Sequence, residues 1–153
     1  MQLYNSRGQQ RERFRPVPGQ PVRVYVCGIT PYDTTHLGHA FTYVVFDTLM
    51  RLMRHGHRWP VRYVQNLTDI DDDVLRKAGE TGEDWRALGL RWTEQFRGDL
   101  AWLNVMPPEV YPGATSVIDR IVDHVGSLLT LGLAYESGGN VYFATDADPS
   151  FAA

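Results

Sequence analysis

The sequence is short of several things. It has one cysteine, Cys27, in 153 residues. No intramolecular disulfide can form, which suits a reducing compartment. Lys77 is the one lysine among 15 Lys and Arg residues. A catalytic motif built on several lysines has to come from elsewhere. No apolar run reaches the roughly 20 residues of a membrane helix. The opening MQLYNSRGQQRERFRP lacks the apolar core of a secretory signal. Together these absences predict a cytoplasmic protein without a membrane span. The net charge of −3 is mild and excludes a broad basic nucleic-acid surface. The local basic stretch from Arg7 to Arg15 is expected to be a solvated charged loop. There are no internal repeats and no low-complexity segment.

What is present is globular. Apolar residues make up 43% of the chain, above the range of disordered sequences. The length is that of one domain and buries roughly two-thirds of the surface an unfolded chain exposes.

Pro16, Pro18, Gly19 and Pro21 mark a turn. A strand over 22–26 then ends at Cys27-Gly28. After a loop over 29–35, helical spacing runs over 37–55, with Phe41, Val44, Val45, Thr48, Leu49, Leu52 and Met53 as its apolar positions. Gly56 is placed to cap its C-terminus. Residues 61–67 read as a second strand. Strand, loop, helix and strand make a βαβ unit with parallel strands. The run Thr68-Asp69-Ile70-Asp71-Asp72-Asp73 leaves the second strand and caps a short helix to Ala78. Its carboxylates are explained by capping and by the helix dipole, not by a cation site. A helix over 83–104 turns Trp85, Leu88, Trp92, Phe96, Leu100 and Leu103 to the core. A further helix covers 114–131, and a hairpin turns through 137–140.

His36-Leu37-Gly38-His39 lies between the first strand and the first helix. Open α/β sheets bind ligands there, beyond the carboxyl ends of the strands. A helix N-terminus favours phosphate, through its free N–H groups and its dipole. Two imidazoles at that point can donate to a triphosphate, and Gly38 leaves room for close approach.

The run from Cys27 to Ala40, CGITPYDTTHLGHA, resembles the cysteinyl-tRNA synthetases and their paralogues, the mycothiol ligases. So does the run from Tyr63 to Asp72, YVQNLTDIDD. Leu3-Tyr4-Asn5, the run 103–108 and the run 139–143 match in order and spacing. The resemblance implies an α/β fold, the Rossmann-like core of a class I synthetase: a parallel sheet with flanking helices, truncated, with the start of the connective insertion. On this reading 1–153 is the N-terminal part of a catalytic domain. It divides into an N-terminal segment 1–21, a nucleotide-binding unit 22–80, and a helical and hairpin insertion 81–153.

The resemblance also implies roles. His36 and His39 are the catalytic signature histidines, and with Gly38 they bind ATP, which enters with Mg2+. Gly28, Thr30 and Thr68 belong to the L-cysteine pocket. Cys27 is the first ligand of a Zn2+ whose other ligands lie outside this chain. Serine differs from cysteine by one atom, too little for a shape-based pocket to exclude. A metal that prefers thiolate supplies the missing selectivity.

The implied activity forms cysteinyl-adenylate and passes cysteine to an acceptor. The acceptor is tRNA-Cys or the glucosaminyl-inositol of mycothiol synthesis. Pro31, Thr34-Thr35, Ala40-Phe41-Thr42-Tyr43, Asp84-Trp85-Arg86 and Leu88-Gly89 tilt toward the amino-sugar. The second class I motif, which contains lysine, and the C-terminal half of the family are expected outside these residues. The chain alone is therefore expected to be inactive. The alternative is a non-catalytic nucleotide-binding or partner domain derived from the same family.

Overall fold

The computed structural model describes residues 1–149 and 151. The chain divides into two compact units, Met1–Pro112 and Gly113–Ala153.

The first unit opens with a hairpin. β1 (Gln2–Asn5) pairs antiparallel with β2 (Gln10–Arg13). The basic stretch is therefore not a plain loop, because half of it is a strand. Every residue of β2 is exposed, so its charges stay in water. The hairpin was hidden from periodicity because β2 reads Gln-Arg-Glu-Arg and buries nothing.

β3 (Val22–Val26) pairs in parallel with β4 (Val61–Gln65), Val22 opposite Val61 and Val26 opposite Gln65. On the other side of β4 runs a short extended segment. Glu109 N–H donates to the Tyr63 carbonyl, Gln65 N–H to that of Val110, and Leu67 N–H to that of Pro112. β4 is thus flanked on both sides. Accordingly Val61, Tyr63 and Gln65 are buried, and the Tyr63 hydroxyl donates to Gln65 Oε1 at 2.6 Å.

α1 (Leu37–Arg51) crosses between the two strands and runs on into a π-helical turn, Leu52–Gly56. Gly56 does not cap it in the left-handed region; the positive φ falls on Arg58, at 57°. The buried face is only partly the expected one. Met53 is buried and Leu49 packs against the core, but Tyr43, Asp47 and Met50 make up the rest of that face, whereas Phe41 is 72% exposed and Leu52 49%. Apolar residues occur on more than one side of α1, so spacing alone names two candidate faces.

Asp47 is a buried carboxylate. It accepts from the Met106 N–H at 3.0 Å and from Arg51 Nε at 2.6 Å. A buried charge is tolerable when so paired.

α2 (Asp72–Thr81) is capped by Asp71, whose side chain accepts from the Val74 N–H at 2.9 Å, and it ends at Gly82 with φ 69°. α3 (Trp85–Trp102) is capped by Asp84. It buries Leu88 and Phe96, and the Phe96 and Tyr43 rings meet edge to face with their centroids 5.1 Å apart. The core of this unit joins Val22, Val26, Ile29, Tyr43, Met50, Met53, Val61, Tyr63, Phe96 and Val105.

In the second unit a 3-10 turn, Ala114–Val117, leads into α4 (Ile118–Thr130). β5 (Ala134–Ser137) and β6 (Asn140–Phe143) pair antiparallel. Gly138 and Gly139 turn the hairpin with φ 58° and 80°, values that glycine adopts without strain.

Candidate functional site

The carboxyl ends of β3 and β4 are tied together before α1 begins. Gly28 N–H donates to Asn66 Oδ1 at 2.8 Å, and the Tyr25 hydroxyl donates to the same oxygen at 2.8 Å. Asn66 Nδ2 reaches Thr68 Oγ1 at 3.4 Å, and Thr68 N–H donates to the Ile29 carbonyl at 3.1 Å. The Tyr43 hydroxyl, from α1, donates to the Cys27 carbonyl at 2.8 Å. These bonds fix where the loop after β3 departs. Asn66, Tyr25 and Tyr43 carry this work; Asn66 and Tyr43 fall within runs noted in the sequence, but nothing local gave any of the three this role. Each makes a bond to a residue at least 16 positions away.

The loop and the start of α1 enclose a cavity of about 400 Å³. Gly28, Thr30, His36 and His39 all line it, joined by Tyr32, Asp33 and Asp73. Thr68 does not line it and is connected through Asn66. Gly38 lies beneath the His36 ring: a Cβ there would come within 2.8 Å of that ring. Its bareness accommodates the imidazole itself.

His36 is the N-cap of α1, with φ −122° and ψ 172°. Its Nδ1 accepts from the Gly38 N–H at 3.1 Å, and His39 Nδ1 accepts from the His36 N–H at 3.3 Å. This is a capping box built from two imidazoles, their rings 4.1 Å apart. Because each Nδ1 accepts, each neutral ring carries its proton on Nε2. Both are thereby set up as Nε2–H donors at a helix N-terminus, where negative charge is favoured. Partial burial, and secondarily the neighbouring His36, pushes the His39 pKa below the ordinary histidine value. The neutral donor form is thus favoured at neutral pH.

Asp33 stands at the rim. The Thr34 N–H, at 2.7 Å, is the main influence holding its carboxyl below the usual range. Lys77 Nζ pairs with it at 3.4 Å. The one lysine of the chain is therefore engaged at this cavity.

Cys27 is exposed. Among the described residues no three His, Cys, Asp or Glu side chains are grouped to hold a metal ion. The donors around Cys27 do not by themselves fit a zinc site, and no step below runs through one. The Asp-rich run also forms no such group: Asp71 caps α2, and Asp73 pairs with Arg76 at 2.9 Å. No helix among the described residues is long and apolar enough to cross a membrane.

Comparison with known proteins gives a consistent picture. A family profile described as the tRNA synthetases class I (C) catalytic domain matches residues 13–153. An L-cysteine:1D-myo-inositol 2-amino-2-deoxy-alpha-D-glucopyranoside ligase of Catenulispora acidiphila is 51% identical over 137 residues, covering 89% of this chain and 32% of that protein. A chloroplastic/mitochondrial cysteine–tRNA ligase of Zea mays is 43% identical over 152 residues, covering 99% of this chain and 27% of that protein. This chain thus spans about a third or less of the length of these relatives. The crystal structure of Mycobacterium tuberculosis methionyl-tRNA synthetase bound by methionyl-adenylate superposes with a TM-score of 0.61 at 23% identity, over 76% of this chain and 23% of that one. That likeness establishes the class I synthetase α/β fold. On the match over 13–153, this chain belongs to the class I (C) tRNA synthetase catalytic-domain family.

Proposed function

We propose that these residues form the nucleotide-binding part of a cysteine-activating ligase. A cysteine carboxylate oxygen attacks the α-phosphorus of ATP. The new O–P bond forms as the bond to the β-phosphate breaks, and pyrophosphate leaves. The acceptor then attacks the cysteinyl carbonyl carbon, AMP departs, and the attacking group loses its proton. The observation that carries this reading is the two-imidazole capping box, with both Nε2–H groups free to donate at the N-terminus of α1. Such donors act on charge that develops as the phosphates rearrange.

In this reading His36 and His39, with Gly38 beneath, take the ATP phosphates. Gly28 and Thr30, with Thr68 tied on through Asn66, take the cysteine. Cys27 is a metal ligand only where further donors join it. The acceptor is an amino-sugar, in keeping with the 51% identity to a ligase of that name. The 153-residue chain alone does not form cysteinyl-adenylate at an appreciable rate, because its one cysteine and one engaged lysine leave the chemistry incomplete. The nucleotide-binding unit spans 22–80, and the connective insertion starts at 81.

The test is an ATP titration of the purified chain followed by NMR, paired with cysteine-dependent exchange of pyrophosphate into ATP. Saturable millimolar shifts at His36 and His39, with no exchange, are expected. Absence of any shift at these histidines would remove the ligase reading. Robust exchange would show instead that the short chain is functional by itself.

A further inference from the structure

Thr35 and His36 serve two concavities. One is the polar cavity described above. The other is an open groove of about 510 Å³, in which they are joined by Leu37, Asp99 and Trp102. Trp102, the last residue of α3, is 86% exposed, and Leu37 is 88% exposed. Single exposed apolar side chains are ordinary; two large ones on one groove beside an oriented carboxylate are a recognisable chemistry.

Asp99 is held in place. Its Oδ2 accepts from Thr35 Oγ1 at 3.1 Å, and its Oδ1 accepts from Gln95 Nε2 at 2.8 Å. Each oxygen keeps a further lone pair. Among the described residues no Lys or Arg forms an ion pair with it. Its negative charge therefore faces the groove without a cation.

An indole face with a carboxylate at its side suits one class of small molecule. A pyranose ring lays its C–H face on the indole, and its hydroxyl or ammonium edge donates to the carboxylate. A cationic amine gains twice, from the ring quadrupole and from the carboxylate. We propose that this groove docks an amino-sugar, with the sugar face on Trp102 and its ammonium edge toward Asp99. The inference rests on the ligase reading above and adds where the second substrate sits. Because Thr35 and His36 line both concavities, a sugar in the groove lies beside whatever the polar cavity activates.

The probes are D-glucosamine, N-acetylglucosamine and glucose, titrated into the full chain. Saturation-transfer NMR and tryptophan fluorescence report binding. Glucosamine should bind saturably in the millimolar range and more tightly than the two neutral sugars. Trp102→Ala should weaken it about two- to fivefold, the scale of one aromatic contact at an exposed site. Trp102→Phe, which keeps an aromatic face, should retain part of the affinity and guards against a folding defect. Asp99→Asn should erase the preference for glucosamine over N-acetylglucosamine. Non-saturating glucosamine signals, or equal binding by wild type and Trp102→Ala, would overturn the proposal. So would sedimentation showing self-association that Trp102→Ala abolishes, since the groove would then be a protein contact. ATP titrated into the same sample separates the two ideas. ATP binding without sugar binding removes only the groove; binding of neither removes the ligase reading as well.

Discussion

The backbone at Gly28 lies against the Asn66 carbonyl, and a Cβ added at Gly28 would overlap that oxygen. The obstacle is backbone, so no side-chain rotation relieves it. Gly28→Ala should therefore push apart the ends of β3 and β4, the point from which the whole site is hung. Overpacking of this kind costs roughly 1–3 kcal/mol, with the upper end expected where the neighbour cannot yield. Thermal denaturation followed by circular dichroism reads it directly. A variant that melts with the wild type would show that the two strand ends are not held as described.

His36 combines a capping role with a proposed phosphate-binding role, and the two are separable. His36→Ala removes the cap of α1, which costs about 1 kcal/mol. His36→Ser restores an N-cap acceptor without an imidazole. The serine variant should melt close to wild type yet bind ATP more weakly. Equal ATP affinity in wild type and His36→Ser would mean that the ring serves the helix alone.

Acid should loosen this end of α1. The His39 pKa is lowered in the fold, mainly by partial burial, from an ordinary value of 6.5. The unfolded chain then binds more protons than the folded one across the window below 6.5. The stability linked to His39 is fully present above that pH and falls as pH drops through the folded pKa. Protonated Nδ1 also can no longer accept from the His36 N–H. Histidine ring signals followed by NMR from pH 7.5 downward should give a midpoint for His39 below 6.5. A midpoint above 6.5 would contradict the environment described.

Asp47 offers a test of the core. It joins α1 to the segment after α3 through the Met106 N–H, and it pairs with Arg51. Asp47→Ala leaves the part-buried Met106 N–H without its acceptor and takes the carboxylate from Arg51, which keeps its bond to the Asn104 carbonyl. A loss of about 1–3 kcal/mol is expected, the cost of leaving such a donor unsatisfied. Asp47→Asn keeps an acceptor for Met106 and should cost less. Urea unfolding midpoints of the two variants give the order. Equal destabilisation would assign the cost to the lost charge and not to the hydrogen bond.

Much of this protein was legible locally. The strand over Val22–Val26, the capping of α2 from the Asp-rich run, and the histidine pair at the start of α1 all depend on residues within a few positions of one another, whereas the cap of α3 at Asp84 falls inside the helix expected over 83–104. Short-range sterics and hydrogen bonding decide such features, so the sequence carries them openly. The resemblance running through CGITPYDTTHLGHA added the family, and the profile match over 13–153 agrees with it.

Tertiary structure decided the rest. Which face of α1 is buried depends on where the β3–β4 sheet lies, because apolar side chains occur on more than one side of that helix. The strand at Gln10–Arg13 exists through its partner at Gln2–Asn5 and buries nothing to announce itself. The bond from Asn66 to Gly28, 38 positions away, and that from Asp99 to Thr35, 64 positions away, join residues that only the folded chain brings together. The sequence by itself determined most of the elements, the β1–β2 hairpin excepted, and the place of the histidine pair at the start of a helix, since these are local. Only packing determined how Asn66, Tyr25 and Tyr43 hold that site and where Trp102 stands beside it, since a contact between distant residues has no period and no spacing to read.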